Sequence, residues 1–397
     1  MNDGRTVKPT TAALVVAPAA ATALTLPRTL FGRGAVRTLS AELEGLGVRR
    51  PLLVTDQGLV AAGVSARVVA ACGGGVSTVL FDNVTENPLF TDVDAGAAAY
   101  LAHGCDGVLA VGGGSVIDTA KMIALLAANA GTVADYAGKP GVPHGPAAPL
   151  VVIPTTAGTG SEASPSAGIH PDATTPSVGM NSRHLVPRLA VLDPELTLSL
   201  PRRLTAATGI DALSHCIEGY LSERDQPLGK AIALDGIRRV ARHLRRAVVD
   251  GNDLDARAEM MMAAYAGGAS IAMGLGPAHA VAIVCSDQGF HHGVLSGIGL
   301  VATLDATAEH APARMTAVAE AFGLSSGASL AAGVAALMRE LGLPATLAEL
   351  GYAAKDLRAM AAAAERSHFN LSAPFRPSAS QYAALLAHSI AVGDMDP

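Results

Sequence analysis

The sequence lacks tryptophan and has little charge, and the low charge excludes two classes of protein. Charged residues make up 16% of the 397 residues and hydrophobic residues 50%, which excludes a disordered chain, because disorder requires much charge and little apolar side chain. The net charge of −6 provides no basic surface. We therefore expect neither a nucleic-acid partner nor binding to an anionic membrane.

Cysteine and long apolar runs are also scarce. The four cysteines, Cys72, Cys105, Cys216 and Cys285, are widely spaced and form no CxxC pair, so we expect a reducing cytoplasm rather than a disulfide framework or cysteine-bound zinc. No run of about 20 consecutive apolar residues is present that would span a bilayer. An apolar stretch at residues 12–26 lacks a basic head and contains Pro18, so we do not expect a secretory signal.

The chain is longer than one ordinary domain, and its composition changes near residues 195–205. Before that point, short apolar runs predict strands at residues 51–56, 77–81, 107–112 and 149–154, with helices at residues 61–72 and 91–103. This alternation predicts βαβ units and a parallel sheet. After residues 195–205, segments rich in Ala, Leu, Met and Arg predict helices, for example at residues 228–249, 256–273, 315–322 and 329–341. We therefore predict an α/β domain over residues 1–200 and an all-α domain over residues 201–397.

A strand that runs directly into three glycines and a serine is the strongest local signal (GGGSVIDTAK, residues 112–121). Glycines allow close backbone approach, and a helix N-terminus offers free N–H groups, so the turn predicts an anion site suited to a pyrophosphate. Ser115 either caps the helix or bonds a phosphate oxygen, and Lys121 either faces the ligand or pairs with Asp118. The alternative is a tight strand-to-helix turn without a ligand.

Two further segments are candidates for the same ligand. Asp56 ends an early predicted strand, where an acid accepts hydrogen bonds from ribose hydroxyls and repels a 2′-phosphate, which favours NAD over NADP. Taken alone, a helix-capping aspartate is the favoured explanation. Residues 154–162 (PTTAGTGSE) form a hydroxyl-rich loop after a strand, which either binds polar ligand edges or is an ordinary turn.

Histidines and a carboxylate form the second candidate site. Asp211 and His215 are four residues apart and face the same way on a helix, and Glu218 lies near that face. A divalent metal bound by one carboxylate and three imidazoles needs ligands from several segments, and His279 and His292 complete such a set. For each histidine alone, a capping or core imidazole is the alternative.

Several motifs in order resemble the iron-containing (group III) alcohol dehydrogenases, over nearly the whole chain. They are LVTD at residues 53–56, GGGSVIDTAK at 112–121, PTTAGTGSE at 154–162, AVLDPELT at 190–197, TGIDALSHCIE at 208–218 and GLGxxH…HHG at 274–293. The resemblance implies a Rossmann-like NAD(P) domain followed by a helical domain, the dehydroquinate synthase-like arrangement, with metal and nicotinamide in the cleft between them. Residues 49–64 and the doubled histidine before Gly293 look closest to the branch acting on short ω-hydroxy acids such as 4-hydroxybutyrate.

The resemblance also assigns roles to individual residues. It implies that Asp56 contacts the adenosine ribose, that the glycine turn holds the pyrophosphate and that the threonines of the second loop line the cofactor. The candidate cofactor-binding set is Asp56, Gly113, Gly114, Ser115, Asp118, Thr155, Thr156 and Thr159, with NAD expected rather than NADP. The candidate ligands of Fe²⁺, with Zn²⁺ as the alternative, are Asp211, His215, His279 and His292.

Two positions depart from the pattern of that family. Ser177 stands where the family usually carries a lysine that helps to hold the cofactor. Ile283 stands where it usually carries a second histidine, four residues after His279. Both changes bear on cofactor affinity and on the proton relay. His291 is the candidate to take over the relay, and a surface histidine is the alternative.

The expected activity is reversible hydride transfer between a small primary alcohol or ω-hydroxy acid and NAD⁺, dependent on a metal. The alternatives on the same fold are a metal-independent maleylacetate-type reductase, a phosphonoacetaldehyde-type reductase and a zinc polyol dehydrogenase, besides a catalytically retired binding protein. Arg183 and Arg376 are candidates for binding a substrate carboxylate, with solvated surface charge as the alternative. We expect a cytoplasmic homodimer or larger homo-oligomer.

Overall fold

The computed structural model describes residues 21–139, 142, 144–354 and 356–391, so most of the apolar stretch at residues 12–26 lies outside it. Within the described residues, the first half of the chain contains eight strands and five α-helices. The strands are β1 (Arg28–Phe31), β2 (Pro51–Val54), β3 (Val79–Phe81), β4 (Gly107–Gly112), β5 (Leu150–Pro154), β6 (Ser166–Ile169), β7 (Val178–Asn181) and β8 (Leu189–Leu192). The helices are α1 (Leu39–Gly45), α2 (Gln57–Ala61), α3 (Val64–Cys72), α4 (Phe90–Ala102) and α5 (Gly114–Ala128).

A parallel sheet in the order β1-β8-β5-β4-β2-β3 forms the centre of this half, and β6 and β7 pair separately as an antiparallel hairpin. Strands β2, β4, β5 and β8 are buried along their whole length because helices cover both faces of the sheet. Alternate residues of β4 serve opposite faces: Val108 packs in one apolar cluster and Leu109 in another. This burial on two sides explains why these strands are continuous apolar runs.

The second half of the chain is helical. Its helices are α6 (Arg202–Leu221), α7 (Pro227–Val249), α8 (Leu254–Ile271), α9 (Pro277–Val284), α10 (His292–His310), α11 (Pro312–Phe322), α12 (Leu330–Glu340), α13 (Leu347–Leu350), α14 (Leu357–Glu365) and α15 (Ala379–Ala391). Helix α6 is buried on nearly every side, packed among α7, α8 and α10. Side chains at its centre therefore lie away from bulk water.

The predicted fold class, a parallel α/β domain followed by a helical domain, is confirmed. The four predicted strands exist, with ends shifted by up to two residues. The helix predicted at residues 61–72 was wrong at its start, because Gly63, with φ +73°, separates α2, which ends at Ala61, from α3, which begins at Val64. The last strand ends at Leu192 and α6 begins at Arg202, so the division near residue 200 stays a prediction within that interval.

None of the described helices combines the length and the apolar character that crossing a membrane requires.

Candidate active site

The centre of α6 presents two of the predicted metal ligands, Asp211 and His215, and both are buried. Glycines let the neighbouring helices approach them closely. A Cβ atom placed on Gly267 of α8 would lie 3.1 Å from the His215 Cβ atom, and one on Gly293 of α10 would lie 2.9 Å from that of Asp211. The fold therefore builds this site by bringing helix backbones directly against α6.

The other two predicted ligands lie in the first turns of the helices that meet α6. His279 follows Pro277, which begins α9, and His292 is the first residue of α10. Asp211 Oδ1 lies 3.9 Å from His292 Nε2, and Asp211 Oδ2 lies 3.9 Å from His215 Nδ1. The ring centroid of His279 lies 4.7 Å from that of His215 and 5.6 Å from that of His292. All four predicted ligands thus converge, and the ligand atoms of three of them, Asp211, His279 and His292, lie within 4.8 Å of one another.

Three polar atoms of this cluster are buried and have no hydrogen-bond partner among the described residues: Asp211 Oδ1, His215 Nδ1 and His279 Nε2. A buried polar atom without a partner destabilises a fold, so a group that binds all three is expected. Burial lowers the pKa of His215 to about 3, which leaves the imidazole neutral and its lone pair available. One carboxylate with neutral imidazoles suits Fe²⁺ or Zn²⁺, so these residues fit a divalent metal ion.

Glu218 contacts His279 through the Nδ1 atom of the ring. The sequence placed Glu218 near the face of α6 that carries Asp211 and His215, but it did not indicate this role. The Oε2 atom of Glu218 lies 2.6 Å from Nδ1 of His279, and its Oε1 atom accepts the backbone N–H of Ala278 at 2.7 Å. A carboxylate that accepts the Nδ1 proton of a histidine fixes the ring and leaves Nε2 free for a metal. Nε2 of His279 is the atom of this ring that has no partner in the part of the chain that the structure describes.

Replacing Glu218 by glutamine is expected to lower metal affinity by about tenfold, because the neutral amide orients and polarises His279 less strongly. Competition with a chelator measures this affinity. The matched control is Glu223→Gln, which removes a surface carboxylate paired with Arg376 at 2.6 Å and should leave metal affinity unchanged. Equal affinities in wild type and Glu218→Gln would show that Glu218 does not orient the ligand.

The glycine turn links β4 to α5 with Gly113 in the capping position, and no side chain among the described residues caps this helix. Its first N–H groups are therefore available to an anion. A Cβ atom on Gly113 would lie 3.0 Å from Thr156 Cγ2, and one on Gly114 would lie 2.5 Å from Thr159 Cγ2. The glycines are thus needed for close contact between the turn and the second predicted loop.

Three other predicted cofactor side chains have protein partners. The Ser115 hydroxyl donates to the Glu86 carbonyl instead of capping α5. Asp118 Oδ2 accepts the N–H of Gly168 at 2.9 Å. Asp56 Oδ1 accepts the N–H of Leu59 at 2.9 Å and caps α2, which is the favoured alternative from the sequence. Asp56 nevertheless lies at the carboxyl end of β2, the edge of the sheet at which the glycine turn begins.

The second loop connects the glycine turn with the metal-ligand cluster. At its start, the N–H of Thr155 donates to the Gly112 carbonyl at 3.0 Å. Further along, a Cβ atom on Gly158 would lie 2.5 Å from that of Thr208, one turn before Asp211 on α6. The two candidate sites are therefore neighbours.

The two positions that depart from the family pattern lie on different elements. Ile283 lies on α9, one turn after His279, and Ser177 directly precedes β7. His291 Nδ1 accepts the N–H of Gly293 at 3.1 Å and so caps α10, a structural use that the relay hypothesis did not include.

Neither candidate arginine is shown to bind a substrate. Arg376 pairs with Glu223 and is half exposed. Arg183 lies exposed at the start of a short 3-10 turn. Both positions fit the surface-charge alternative.

A parallel α/β domain with a glycine turn, next to a helical domain with a carboxylate–histidine cluster, is typical of metal-dependent, dinucleotide-linked dehydrogenases. The family model for iron-containing alcohol dehydrogenases matches residues 27–194, and the model for the C-terminal region of the Fe-containing alcohol dehydrogenase family matches residues 205–390. The chain therefore belongs to the iron-containing alcohol dehydrogenase family. It is an oxidoreductase that acts on small alcohols or aldehydes.

Similar proteins cover nearly the whole chain. The 4-hydroxybutyrate dehydrogenase of Cupriavidus necator is 41% identical over 371 residues, which make up 90% of this chain and 96% of that protein. The NAD-dependent methanol dehydrogenase of Bacillus methanolicus is 33% identical, over 84% of this chain and 91% of its own. A crystal structure of 1,3-propanediol oxidoreductase superposes with a TM-score of 0.88 at 31% identity, over 93% of this chain and 100% of its own.

Proposed function

We propose that this enzyme oxidises a small primary alcohol or ω-hydroxy acid, such as 4-hydroxybutyrate, with NAD⁺ and reduces the aldehyde in reverse. The proposed metal is Fe²⁺, bound by Asp211, His215, His279 and His292. The observation that carries this proposal is the convergence of these four side chains beside the glycine turn, where three of them have a buried atom that no other described residue pairs with. The similarity to the 4-hydroxybutyrate dehydrogenase of Cupriavidus necator supports the choice of substrate.

A divalent cation in this cluster would supply Lewis-acid polarisation of the substrate oxygen, and the dinucleotide would supply the hydride chemistry. The residues of the chain hold and orient these groups. Glu218 fixes the ring of His279, and the buried side chains of α6 keep bulk water away from the cluster. Three neutral imidazoles and one carboxylate give a divalent site a net charge of +1, which favours a negatively charged substrate oxygen next to it.

The wild-type enzyme tests the proposal directly. We expect oxidation of 4-hydroxybutyrate with NAD⁺ after loading with Fe²⁺, slower turnover of methanol and 1,3-propanediol, and loss of activity after exhaustive chelation. Absorbance of NADH or NADPH provides the measurement, with Fe²⁺, Zn²⁺ or no metal added. Full turnover in metal-free protein, or no turnover of any of these alcohols, would contradict the proposal.

Asp56 provides the test of the choice of NAD. A carboxylate at the end of β2 repels the 2′-phosphate of NADP, whereas Asp56→Ser removes the charge and keeps a residue that caps α2 well. We expect the ratio of kcat/KM for NADPH to that for NADH to rise about tenfold. The control is Asp253→Ser, which changes another helix-capping aspartate, at the start of α8, and should leave the ratio unchanged. An unchanged ratio in Asp56→Ser would contradict the assignment.

The proposal extends to a homo-oligomer in the cytoplasm. All four cysteines are free thiols, which supports a reducing compartment. Strand β1 lies at one edge of the sheet, and its Phe31 is 49% exposed, which supports contact between copies. Light scattering of the purified enzyme tests this: we expect the mass of two or more chains, and the mass of one chain would contradict it.

A further inference from the structure

Lys121 is fully buried, with 0% of its surface exposed, two turns along the helix that follows the glycine turn. Its Nζ atom donates to the Ser164 carbonyl at 2.9 Å, the Ser164 hydroxyl at 3.1 Å and the Ser166 carbonyl at 2.6 Å. Asp118 Oδ1 lies 3.9 Å away. Burial of an ammonium group is unfavourable, and these acceptors offset that desolvation. Of the two alternatives that the sequence left open, this enclosure by protein favours the one in which Lys121 lies beside Asp118 and does not face a ligand.

The groups bound by Lys121 lie on Ser164, two residues after the hydroxyl-rich loop of residues 154–162, and on Ser166, the first residue of β6. The start of that loop is fixed by the hydrogen bond from Thr155 to the Gly112 carbonyl. The two groups that hold this segment, the Gly112 carbonyl and the Lys121 ammonium, therefore belong to the β4–α5 unit that carries the glycine turn. Between them, Thr156 and Thr159 lie directly against the glycines of the turn.

Two further hydrogen bonds lie between the Lys121 acceptors and Thr159. The N–H of Ser164 donates to the Gly160 carbonyl at 3.1 Å, and the N–H of Ser161 donates to Thr159 Oγ1 at 3.3 Å. Asp118 strengthens the same attachment by accepting the N–H of Gly168 on β6. The loop is thus held at both ends and along its length against the helix whose N-terminus is the candidate pyrophosphate site.

We propose that Lys121 is a positioning residue for the dinucleotide. By binding Ser164 and Ser166, it fixes the hydroxyl-rich loop of residues 154–162 against the glycine turn, and it does not touch the cofactor itself. This inference rests on the proposed function, because it assumes that the two loops bind a dinucleotide. It differs from the role of the lysine that Ser177 replaces in the family pattern, which would act on the cofactor directly. Holding a binding surface in one arrangement lowers the ordering cost of ligand binding.

Lys121→Met tests this inference, because methionine has similar length and no charge. We expect the Kd for NADH, measured by fluorescence titration, to rise by about tenfold, and the KM for NAD⁺ to rise more than kcat falls. Metal content should stay at the wild-type level, because the candidate ligands lie on α6, α9 and α10. Ser164→Ala removes one acceptor and keeps the lysine, and we expect it to raise the Kd by about threefold.

The matched control is Lys230→Met. Lys230 Nζ also donates to two backbone carbonyls, those of Tyr220 at 2.9 Å and Ser222 at 2.7 Å, in the helical half of the chain. This variant should leave the Kd for NADH unchanged. A folded Lys121→Met that binds NADH as wild type does, or an equal rise in Lys121→Met and Lys230→Met, would overturn the inference. If Lys121→Met does not fold, an unchanged Kd in Ser164→Ala would overturn it. A wild-type enzyme that binds no NADH would instead overturn the proposed function.

Discussion

His279→Ala is expected to lose the bound metal and turnover together. The ring centroid lies 4.7 Å from that of His215 and 5.6 Å from that of His292, and its Nε2 atom is buried without a partner among the described residues, so the variant removes one of the converging ligand atoms. We expect metal content, measured by elemental analysis of the purified protein, to fall below about a tenth of the wild-type level. We expect kcat/KM for the alcohol to fall by at least about a thousandfold, because the Lewis acid is lost.

The control for this variant is His310→Ala, which removes a histidine at the other end of α10. The His310 ring stacks on Phe375 at 4.7 Å and is exposed, so metal content and turnover should remain at wild-type levels. Asp211→Asn keeps the shape of the ligand and removes its charge, and we expect it to lose metal as well. Full activity in a metal-free His279→Ala enzyme would contradict the proposed chemistry.

Gly114→Val is expected to abolish dinucleotide binding while leaving the metal site intact. A Cβ atom at this position would lie 2.5 Å from Cγ2, 2.8 Å from Oγ1 and 2.9 Å from Cβ of Thr159. Rotation of the threonine does not relieve a contact with its own Cβ atom, so the backbone of one loop must move. We expect the Kd for NADH to rise by about a hundredfold, because the N–H groups and the threonines no longer converge.

Fluorescence titration with NADH and elemental analysis of the same sample separate the two sites. Gly74→Val is the matched control, because Gly74 is exposed and a Cβ atom there would meet no heavy atom of the described residues within 4 Å. It should bind NADH as wild type does. Normal NADH affinity in Gly114→Val would show that the glycine turn is only a connection between β4 and α5.

The strands and helices of the first half of the chain could be predicted from the sequence to different degrees. Strands β2, β4 and β5 are buried on both faces and therefore carry an unbroken apolar signal. Strand β1 has four partly exposed residues at the edge of the sheet, and the β6–β7 hairpin contains glycine in both strands, so neither produced such a run. The helix predicted at residues 61–72 ran through Gly63, because the positive φ that interrupts the helix there cannot be read from composition.

The site residues show a similar limit. The spacing of Asp211 and His215 indicated one face of a helix, but no local pattern connects them with His279, which lies 64 residues beyond His215. The residue types suggested one ligand set, and the resemblance to the family gave this combination its weight. The partners of Lys121 lie 43 and 45 residues away, and the partner of Glu218 lies 61 residues away, so their roles depend on packing that spacing cannot reveal.

The most direct measurement is anomalous diffraction at the iron absorption edge from crystals of the iron-loaded enzyme. We predict a single strong peak among the side chains of Asp211, His215, His279 and His292, and no such peak in crystals of His279→Ala. A peak bound by other residues, or no peak in enzyme that turns over alcohol, would contradict this prediction.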